Sequence, residues 1–129
     1  MAEAKILVVD DEPEFVDVVQ TVLEGSGYEV VTASSGEEGK QQALDEEPDL
    51  IILDVMMETD KAGFDAARWL RSEEATERIP IVMLTAVNQK YPFGFKEDDI
   101  WLPVDKFLEK PVSPDKLLEE VEDSIKQAS

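Results

Sequence analysis

The sequence predicts an α/β fold built on a parallel β-sheet, and three observations lead to that class. Short apolar runs recur between polar segments, which is the pattern of buried parallel strands. Stretches with apolar residues at helical spacing separate these runs, and such alternation builds a parallel sheet with right-handed crossovers. Three of the runs end directly in an acidic or hydroxyl residue. This places polar groups at the carboxyl ends of strands, where open α/β sheets carry their chemistry.

The first part of the chain predicts two strands, each followed by a helix. Residues 6–9 form an apolar strand, and residues 12–25 carry apolar side chains at helical spacing until a Gly-Ser-Gly sequence ends the helix. Residues 28–33 alternate weakly and predict an outer strand. Residues 34–38 predict a turn and the start of the second helix.

The middle of the chain predicts a third and a fourth strand with a helix between them. The strands are residues 50–53 and 81–84, each preceded by a proline, and the helix covers residues 63–74. Residues 88–103 should hold the next helix, but their proline and glycine residues argue against one regular helix. We therefore expect an irregular fourth helix region.

The end of the chain predicts a fifth strand and the helix with the clearest signals. Residues 107–109 form the strand and lead into a Lys-Pro pair. Ser113 is placed to cap the final helix, Pro114 occupies its first turn and Asp115 complements its dipole. The apolar stripe of this helix consists of Leu117, Leu118, Val121 and Ile125.

The length and composition predict a single domain over residues 1–129, with no output domain. Hydrophobic residues make up 43% of the chain, which is enough for a packed core. No apolar stretch approaches the length of a membrane span, and the N-terminus leads directly into the first strand, which leaves no room for a signal peptide. We therefore expect a cytoplasmic protein with no membrane partner.

Cysteine and histidine are both absent from the sequence. The lack of cysteine excludes disulfides, thiolate metal sites and a thiol nucleophile. The lack of histidine excludes histidine-based triads, imidazole metal sites and the usual general base. Any covalently transferred group must therefore be carried by a carboxylate, a hydroxyl or a lysine.

The formal net charge of −19 bears on the partners. A chain this acidic repels nucleic acid phosphates and anionic membrane surfaces, so we expect no nucleic acid partner. The charge has two interpretations that the sequence leaves open. The favoured interpretation is that the charge keeps the protein soluble. The other is that it steers the protein toward a basic partner surface.

Five polar side chains should meet at the carboxyl edge of the predicted sheet. They are Asp10, Asp11, Asp54, Thr85 and Lys110, each at or just after the end of a strand. Carboxylates without nitrogen or sulfur ligands favour magnesium, calcium or manganese over zinc. Three carboxylates, one hydroxyl and one ammonium therefore suit a divalent cation and a phosphoryl group.

In this order along the chain, these residues resemble the receiver domain of two-component response regulators. The matching positions are the acidic pair Asp10-Asp11, the central Asp54, Thr85 with an alanine after it, Phe107, and a Lys-Pro pair. The resemblance covers nearly the whole chain. It implies a doubly wound, flavodoxin-like sheet of five parallel strands in the order 2-1-3-4-5.

The resemblance also implies a magnesium site. In receivers that match this pattern, Asp11 and Asp54 would bind the metal directly and Asp10 would act through water. The backbone carbonyl of Met56 would supply a further ligand. Magnesium suits such a site because it keeps several waters and takes few protein oxygens.

The remaining roles follow from the same resemblance. Asp54 would be the nucleophile that accepts a phosphoryl group, and Lys110 would neutralise charge on that group. Thr85 and Phe107 would form the switch that responds to phosphorylation. The Lys110-Pro111 bond resembles the cis peptide of the family, which would aim the lysine into the pocket.

The function expected from these features is that of a stand-alone receiver. The phosphoryl donor would be a sensor histidine kinase, a histidine phosphotransfer protein or a small phosphodonor, and the output would be phosphorylation-dependent binding of another protein. The domain would not be an enzyme in the usual sense. Two alternatives stay open: a receiver-like interaction module that is never phosphorylated, and an aspartyl-nucleophile phosphatase of the haloacid dehalogenase class. The phosphatase needs a second aspartate two residues after the nucleophile, where Met56 stands.

Two segments depart from the family pattern. Glu58 replaces a proline that usually follows the phosphorylation site, and Gly63 comes one position later than usual, so the loop at residues 56–62 should be longer and reshaped. The segment Asn88–Pro103 contains four aromatic residues in place of a regular helix. Its aromatic side chains either pack over the sheet or form a partner-binding patch. Its aromatic residues are Tyr91, Phe93, Phe95 and Trp101.

Overall fold

Five parallel strands form one sheet in the computed structural model, which describes residues 4–54, 62–86, 106–110 and 112–128. The strand order is β2-β1-β3-β4-β5, and every neighbouring pair is parallel. This confirms the predicted doubly wound α/β fold with the order 2-1-3-4-5. The strands are β1 (Lys5–Val9), β2 (Glu29–Ala33), β3 (Leu50–Asp54), β4 (Ile81–Ala86) and β5 (Lys106–Lys110).

Four helices lie in the described part of the chain, close to the positions that the sequence predicts. They are α1 (Pro13–Gly25), α2 (Gly36–Glu46), α3 (Ala62–Ser72) and α4 (Pro114–Ala128). The predicted irregular region Asn88–Pro103 lies outside the described residues.

Helix α3 ends at Ser72, whereas the sequence predicts a helix to residue 74. The Thr76 hydroxyl donates to the Leu70 carbonyl at 2.6 Å, and the Arg71 guanidinium donates to the Ile79 carbonyl at 2.5 Å. These side chains satisfy carbonyls at the helix end and in the turn that follows, so the chain leaves the helix early. The prediction was therefore wrong by two residues at this end.

The predicted start of α2 and the predicted Ser113 cap of α4 are both confirmed, and Ser35 also caps α2. Ser35 Oγ accepts a hydrogen bond from the Glu38 amide at 3.1 Å, and Glu38 Oε1 accepts from the Ser34 amide at 2.6 Å. At α4, Ser113 Oγ accepts from the Lys116 amide at 3.2 Å. Each cap satisfies an amide that the first helical turn leaves without a carbonyl partner.

The core consists of two apolar layers, one on each face of the sheet. Successive side chains of a strand point to opposite faces, so β1 and β3 contribute to both layers. One layer joins the sheet to α2 and α3 and includes Leu7, Val9, Ala43, Ile51, Leu53, Phe64, Ala67, Leu70, Ile81 and Met83. The other joins it to α1 and α4 and includes Ile6, Val8, Val19, Leu23, Leu50, Ile52, Val82, Leu84, Leu117 and Val121.

Candidate functional site

The strand register brings four of the predicted site positions to one edge of the sheet. Val9 pairs with Leu53, so Asp10 and Asp54 follow side by side at the ends of β1 and β3. Asp54 pairs with Leu84, which directly precedes Thr85 in β4. Lys110 ends β5 and pairs with Ala86.

Two hydrogen bonds anchor Asp10 at this edge. Its amide donates to the Ala33 carbonyl at 3.0 Å, and its Oδ1 accepts from the Glu12 amide at 2.9 Å. The residue is only 1% exposed. Its second oxygen, Oδ2, is buried, and the Lys110 ammonium contacts it at an Nζ–Oδ2 distance of 2.8 Å. A carboxylate oxygen has more than one lone pair, so Oδ2 can contact a metal ion as well as the ammonium.

Lys110 places one ammonium among three carboxylates. Its Nζ lies 2.6 Å from Glu12 Oε1, 2.8 Å from Asp10 Oδ2 and 3.5 Å from Asp54 Oδ2. Burial acts to lower the pKa of Lys110, but the neighbouring carboxylates outweigh it and raise the pKa above its usual value. The ammonium is therefore charged at neutral pH.

Asp54 is the carboxyl group whose ionisation the site perturbs most clearly. Burial raises its pKa, and the charge of Asp10 raises it further, to about 7. Lys110 acts in the opposite direction, and Asp11 adds a smaller upward contribution. Without an added cation, both the neutral and the ionised form of the Asp54 carboxyl group are consequently populated near neutral pH.

The carboxylates at this edge fit a magnesium ion. Ligand oxygens of Asp10, Glu12 and Asp54 all lie within 4.8 Å of one another. All three are hard oxygen donors, which magnesium prefers, and two of them, Asp10 and Asp54, are buried at the strand ends. A divalent cation would also relieve the repulsion that raises the pKa of Asp54.

Glu12 is the site residue that the sequence did not identify. It follows the predicted acidic pair, precedes Pro13 at the start of α1 and reaches the same ammonium as Asp10. A carboxylate next to an acidic pair at a helix start was the available signal. Asp11, by contrast, is exposed and lies outside the group of three carboxylates, so its role as a direct ligand stays a prediction.

Four predicted features are described only in part or not at all. Thr85 lies in β4 and Phe107 lies in β5, where it pairs with Met83, but their side chains are not described. Met56 and the Lys110-Pro111 bond lie outside the described residues. Their predicted roles as metal ligand and cis peptide stay predictions.

A helix that crosses a bilayer needs about 20 mostly apolar residues, and the helices of the described ranges fall short of this.

Comparison with known proteins gives a consistent result over most of the chain. A family model described as the response regulator receiver domain matches residues 6–122. The alkaline phosphatase synthesis transcriptional regulatory protein PhoP of Bacillus subtilis is 44% identical over 110 residues, which cover 85% of this chain and 43% of PhoP. The transcriptional regulatory protein GltR of Pseudomonas aeruginosa is 36% identical over 123 residues, 95% of this chain and 49% of GltR. This chain thus spans about half the length of these curated relatives.

Solved structures with the same fold cover nearly all of this chain. The chemotaxis protein CheY4 of Vibrio cholerae superposes with a TM-score of 0.82 at 32% identity, covering 95% of this chain and 99% of CheY4. The receiver domain of the Francisella response regulator 1452 superposes with a TM-score of 0.83 at 25% identity, covering 98% of this chain and 100% of that domain.

Proposed function

The chain belongs to the response regulator receiver domain family, and from this premise we propose that Asp54 accepts a phosphoryl group in a magnesium-dependent reaction. The donor is a histidine kinase, a histidine phosphotransfer protein or a small phosphodonor. The phosphorylated domain then signals by binding another protein. Receivers are signalling domains, so the chemistry serves a change of state rather than turnover of a substrate.

One observation carries the proposal: Asp54 ends the central strand β3 between the carboxylate of Asp10 and the ammonium of Lys110. The residue is 5% exposed, so its carboxylate can be reached from the edge of the sheet but is largely shielded from water. Lys110 Nζ is 3.5 Å from Asp54 Oδ2, which leaves the ammonium near the oxygens of an incoming phosphoryl group. Phosphoryl transfer depends on such positioning and on charge neutralisation.

The proposed transfer exchanges one bond to phosphorus for another. An ionised Asp54 oxygen forms a bond to phosphorus, and the bond from phosphorus to the donor nitrogen or oxygen breaks. The leaving group takes the electron pair and is protonated from solvent. Asp54 must be ionised to act, and the Lys110 ammonium favours that form because it lowers the pKa of Asp54.

The resemblance implies that Asp10 acts through water, but a carboxylate oxygen of Asp10 lies within 4.8 Å of one of Asp54. Magnesium would therefore be held by Asp10 and Asp54, with the predicted ligands Asp11 and the Met56 carbonyl completing the protein contribution. When bound, the ion supplies positive charge that favours the ionised carboxylate and screens the phosphoryl oxygens. The absence of histidine and cysteine from the sequence supports this choice of metal.

We assign the response to phosphorylation to β4 and β5. Thr85 follows the strand partner of Asp54, and its own partner in β5 is Glu109, two residues after Phe107. A new anion at Asp54 therefore arises next to the strand that carries Thr85. The proposed switch is a hydrogen bond from the Thr85 hydroxyl to the phosphoryl group, accompanied by movement of the Phe107 ring.

The proposal is tested by incubating the protein with acetyl phosphate and magnesium and measuring its intact mass. We expect a phosphate adduct that maps to Asp54 and disappears when EDTA is added before the phosphodonor. Asp54→Asn removes the nucleophile and should abolish the adduct. Asp17→Asn, an exposed carboxylate on α1, should leave it unchanged.

The interaction module that is never phosphorylated remains the competing function, and the same experiment decides between them. An absence of adduct on the wild-type protein, with Asp54→Asn binding its partners equally well, would establish that module instead. The single-domain organisation is a separate prediction. The size of the native protein in cell extracts, compared with the 129-residue chain, tests it.

A further inference from the structure

The beginning of α1 supplies two groups that contact the Lys110 ammonium and that the predicted site does not include. Glu12 Oε1 accepts a hydrogen bond from Lys110 Nζ at 2.6 Å, the shortest of its three carboxylate distances. The centroid of the Phe15 ring lies 4.4 Å from the same nitrogen. A carboxylate and an aromatic face both attract an ammonium, one by charge and the other by the ring quadrupole.

Hydrogen bonds anchor the backbone segment that carries these two groups. The Glu12 amide donates to Asp10 Oδ1, and the Glu12 carbonyl accepts the first hydrogen bond of α1, from the Val16 amide at 3.0 Å. Pro13 follows at the first helical position, where its restricted φ favours the helix. Phe15 is partly buried and packs against the apolar layer under α1.

The three carboxylates around Lys110 differ in their surroundings. Asp10 and Asp54 are buried at the strand ends, whereas the Glu12 side chain is 62% exposed at the rim. A divalent cation bound by the two buried carboxylates weakens their attraction for the ammonium and also repels it. Glu12 and the Phe15 ring then provide the attraction that keeps the lysine at the site.

We propose that Glu12 and Phe15 form an ammonium site that keeps Lys110 in place when a divalent cation occupies Asp10 and Asp54. Glu12 is in this sense a positioning residue, because it acts through Lys110 rather than on the phosphoryl group. The benefit to phosphoryl transfer rests on the proposed function, but the ammonium site itself is tested without phosphorylation. Without it, the flexible lysine stem would release the ammonium to solvent once the cation is bound.

The reactivity of the Lys110 amine measures whether the ammonium site holds it. Wild-type protein and variants are acylated with an amine-reactive ester, with EDTA or with saturating magnesium, and Lys110 modification is followed by peptide mass spectrometry. We expect wild-type Lys110 to react slowly in both conditions. In Glu12→Gln it should react slowly with EDTA, and about fivefold faster than wild type with magnesium, a factor that suits one partly exposed ion pair.

Glu14→Gln is the matched control, because Glu14 is an exposed carboxylate in the same helical turn. It should behave like wild type in both conditions, which excludes a general effect of charge. Phe15→Leu keeps the apolar packing but removes the ring, so it should increase Lys110 reactivity with magnesium, as Glu12→Gln does. Equal reactivity of wild type and Glu12→Gln at saturating magnesium would overturn the proposal.

The phosphorylation rate provides a second measurement. It distinguishes the proposed role of Glu12 from the proposed phosphorylation of Asp54, because either can be wrong without the other. Glu12→Gln should lower the rate at saturating acetyl phosphate and magnesium by about fivefold, and it should cause no further loss in a Lys110→Ala background. A further loss in that background would show that Glu12 acts independently of Lys110. A wild-type protein that is never phosphorylated contradicts the proposed function and leaves the acylation result to decide on the ammonium site.

Discussion

At the scale of single residues, Asp54 is a carboxyl group that the fold places out of water beside another carboxylate. Its folded-state pKa of about 7 lies above the value of about 4 expected in an unfolded chain. The folded protein therefore binds more protons than the unfolded chain between these pH values, and stability falls as the pH rises through this range. Above the folded-state pKa, Asp54 is ionised in the folded protein and lowers the free energy of unfolding by its full amount.

Replacing Asp54 by asparagine should therefore stabilise the metal-free protein, and more so at higher pH. We expect Asp54→Asn to raise the free energy of unfolding by about 1–2 kcal/mol at pH 8 in EDTA, a figure discounted for solvent screening, and by much less at pH 5. Urea unfolding at the two pH values measures the difference. Asp17→Asn serves as the exposed control, and an equal gain from Asp54→Asn at both pH values would contradict the assignment.

Removing either of two buried hydroxyl groups should change the free energy of unfolding, but in opposite directions. Ser124 Oγ is buried in α4 and has no hydrogen-bond partner among the described residues, whereas the buried Thr76 hydroxyl donates to the Leu70 carbonyl at 2.6 Å. Ser124→Ala removes an unsatisfied polar group and should raise the free energy of unfolding by about 1 kcal/mol. Thr76→Val breaks a satisfied bond and should lower it by about 1 kcal/mol. Chemical denaturation of the two variants checks the signs, and a loss from both would contradict this interpretation of Ser124.

At the scale of elements, the contact between α2 and β1 depends on a glycine. A Cβ atom built on Gly39 would lie 2.9 Å from both γ-methyl carbons of Val9, which is closer than real Cβ atoms come. Val9 directly precedes Asp10, so the position of α2 against the sheet also supports the candidate site. The close approach explains why a residue with low helix propensity stands inside α2.

Gly39→Ala should destabilise the protein, while the same substitution at a second helical glycine should not. We expect a loss of about 1–3 kcal/mol for Gly39→Ala, because overpacking must displace Val9 or α2. Gly25, the last residue of α1, has no atom of the described ranges within 4 Å of an added Cβ, so Gly25→Ala should gain about 0.5–1 kcal/mol of stability. Thermal or urea unfolding compares the two variants. In a Val9→Ala background, Gly39→Ala should cause a smaller loss of stability. An unchanged loss would show that the added methyl group does not clash with Val9.

At the scale of the whole molecule, the fold followed from local signals while part of the site did not. Apolar runs identified the strands, the turn at residues 34–38 and Ser113 marked helix starts, and the resemblance supplied the strand order. Glu12 was missed because its contact with Lys110 joins residues 98 positions apart, and no periodicity encodes such a distance. The end of α3 was misjudged for a similar reason, since hydrogen bonds from Thr76 and Arg71 to backbone carbonyls set it.

The contact between Glu12 and Lys110 also has a consequence for protein synthesis. The first carboxylates of the pocket emerge from the ribosome early, but the ammonium that completes it belongs to the last strand, 98 residues later. A nascent chain that has not yet added β5 carries Asp10, Glu12 and Asp54 without their shared cationic partner. The proposed phosphorylation of Asp54 beside Lys110 therefore requires that β5 has joined the sheet.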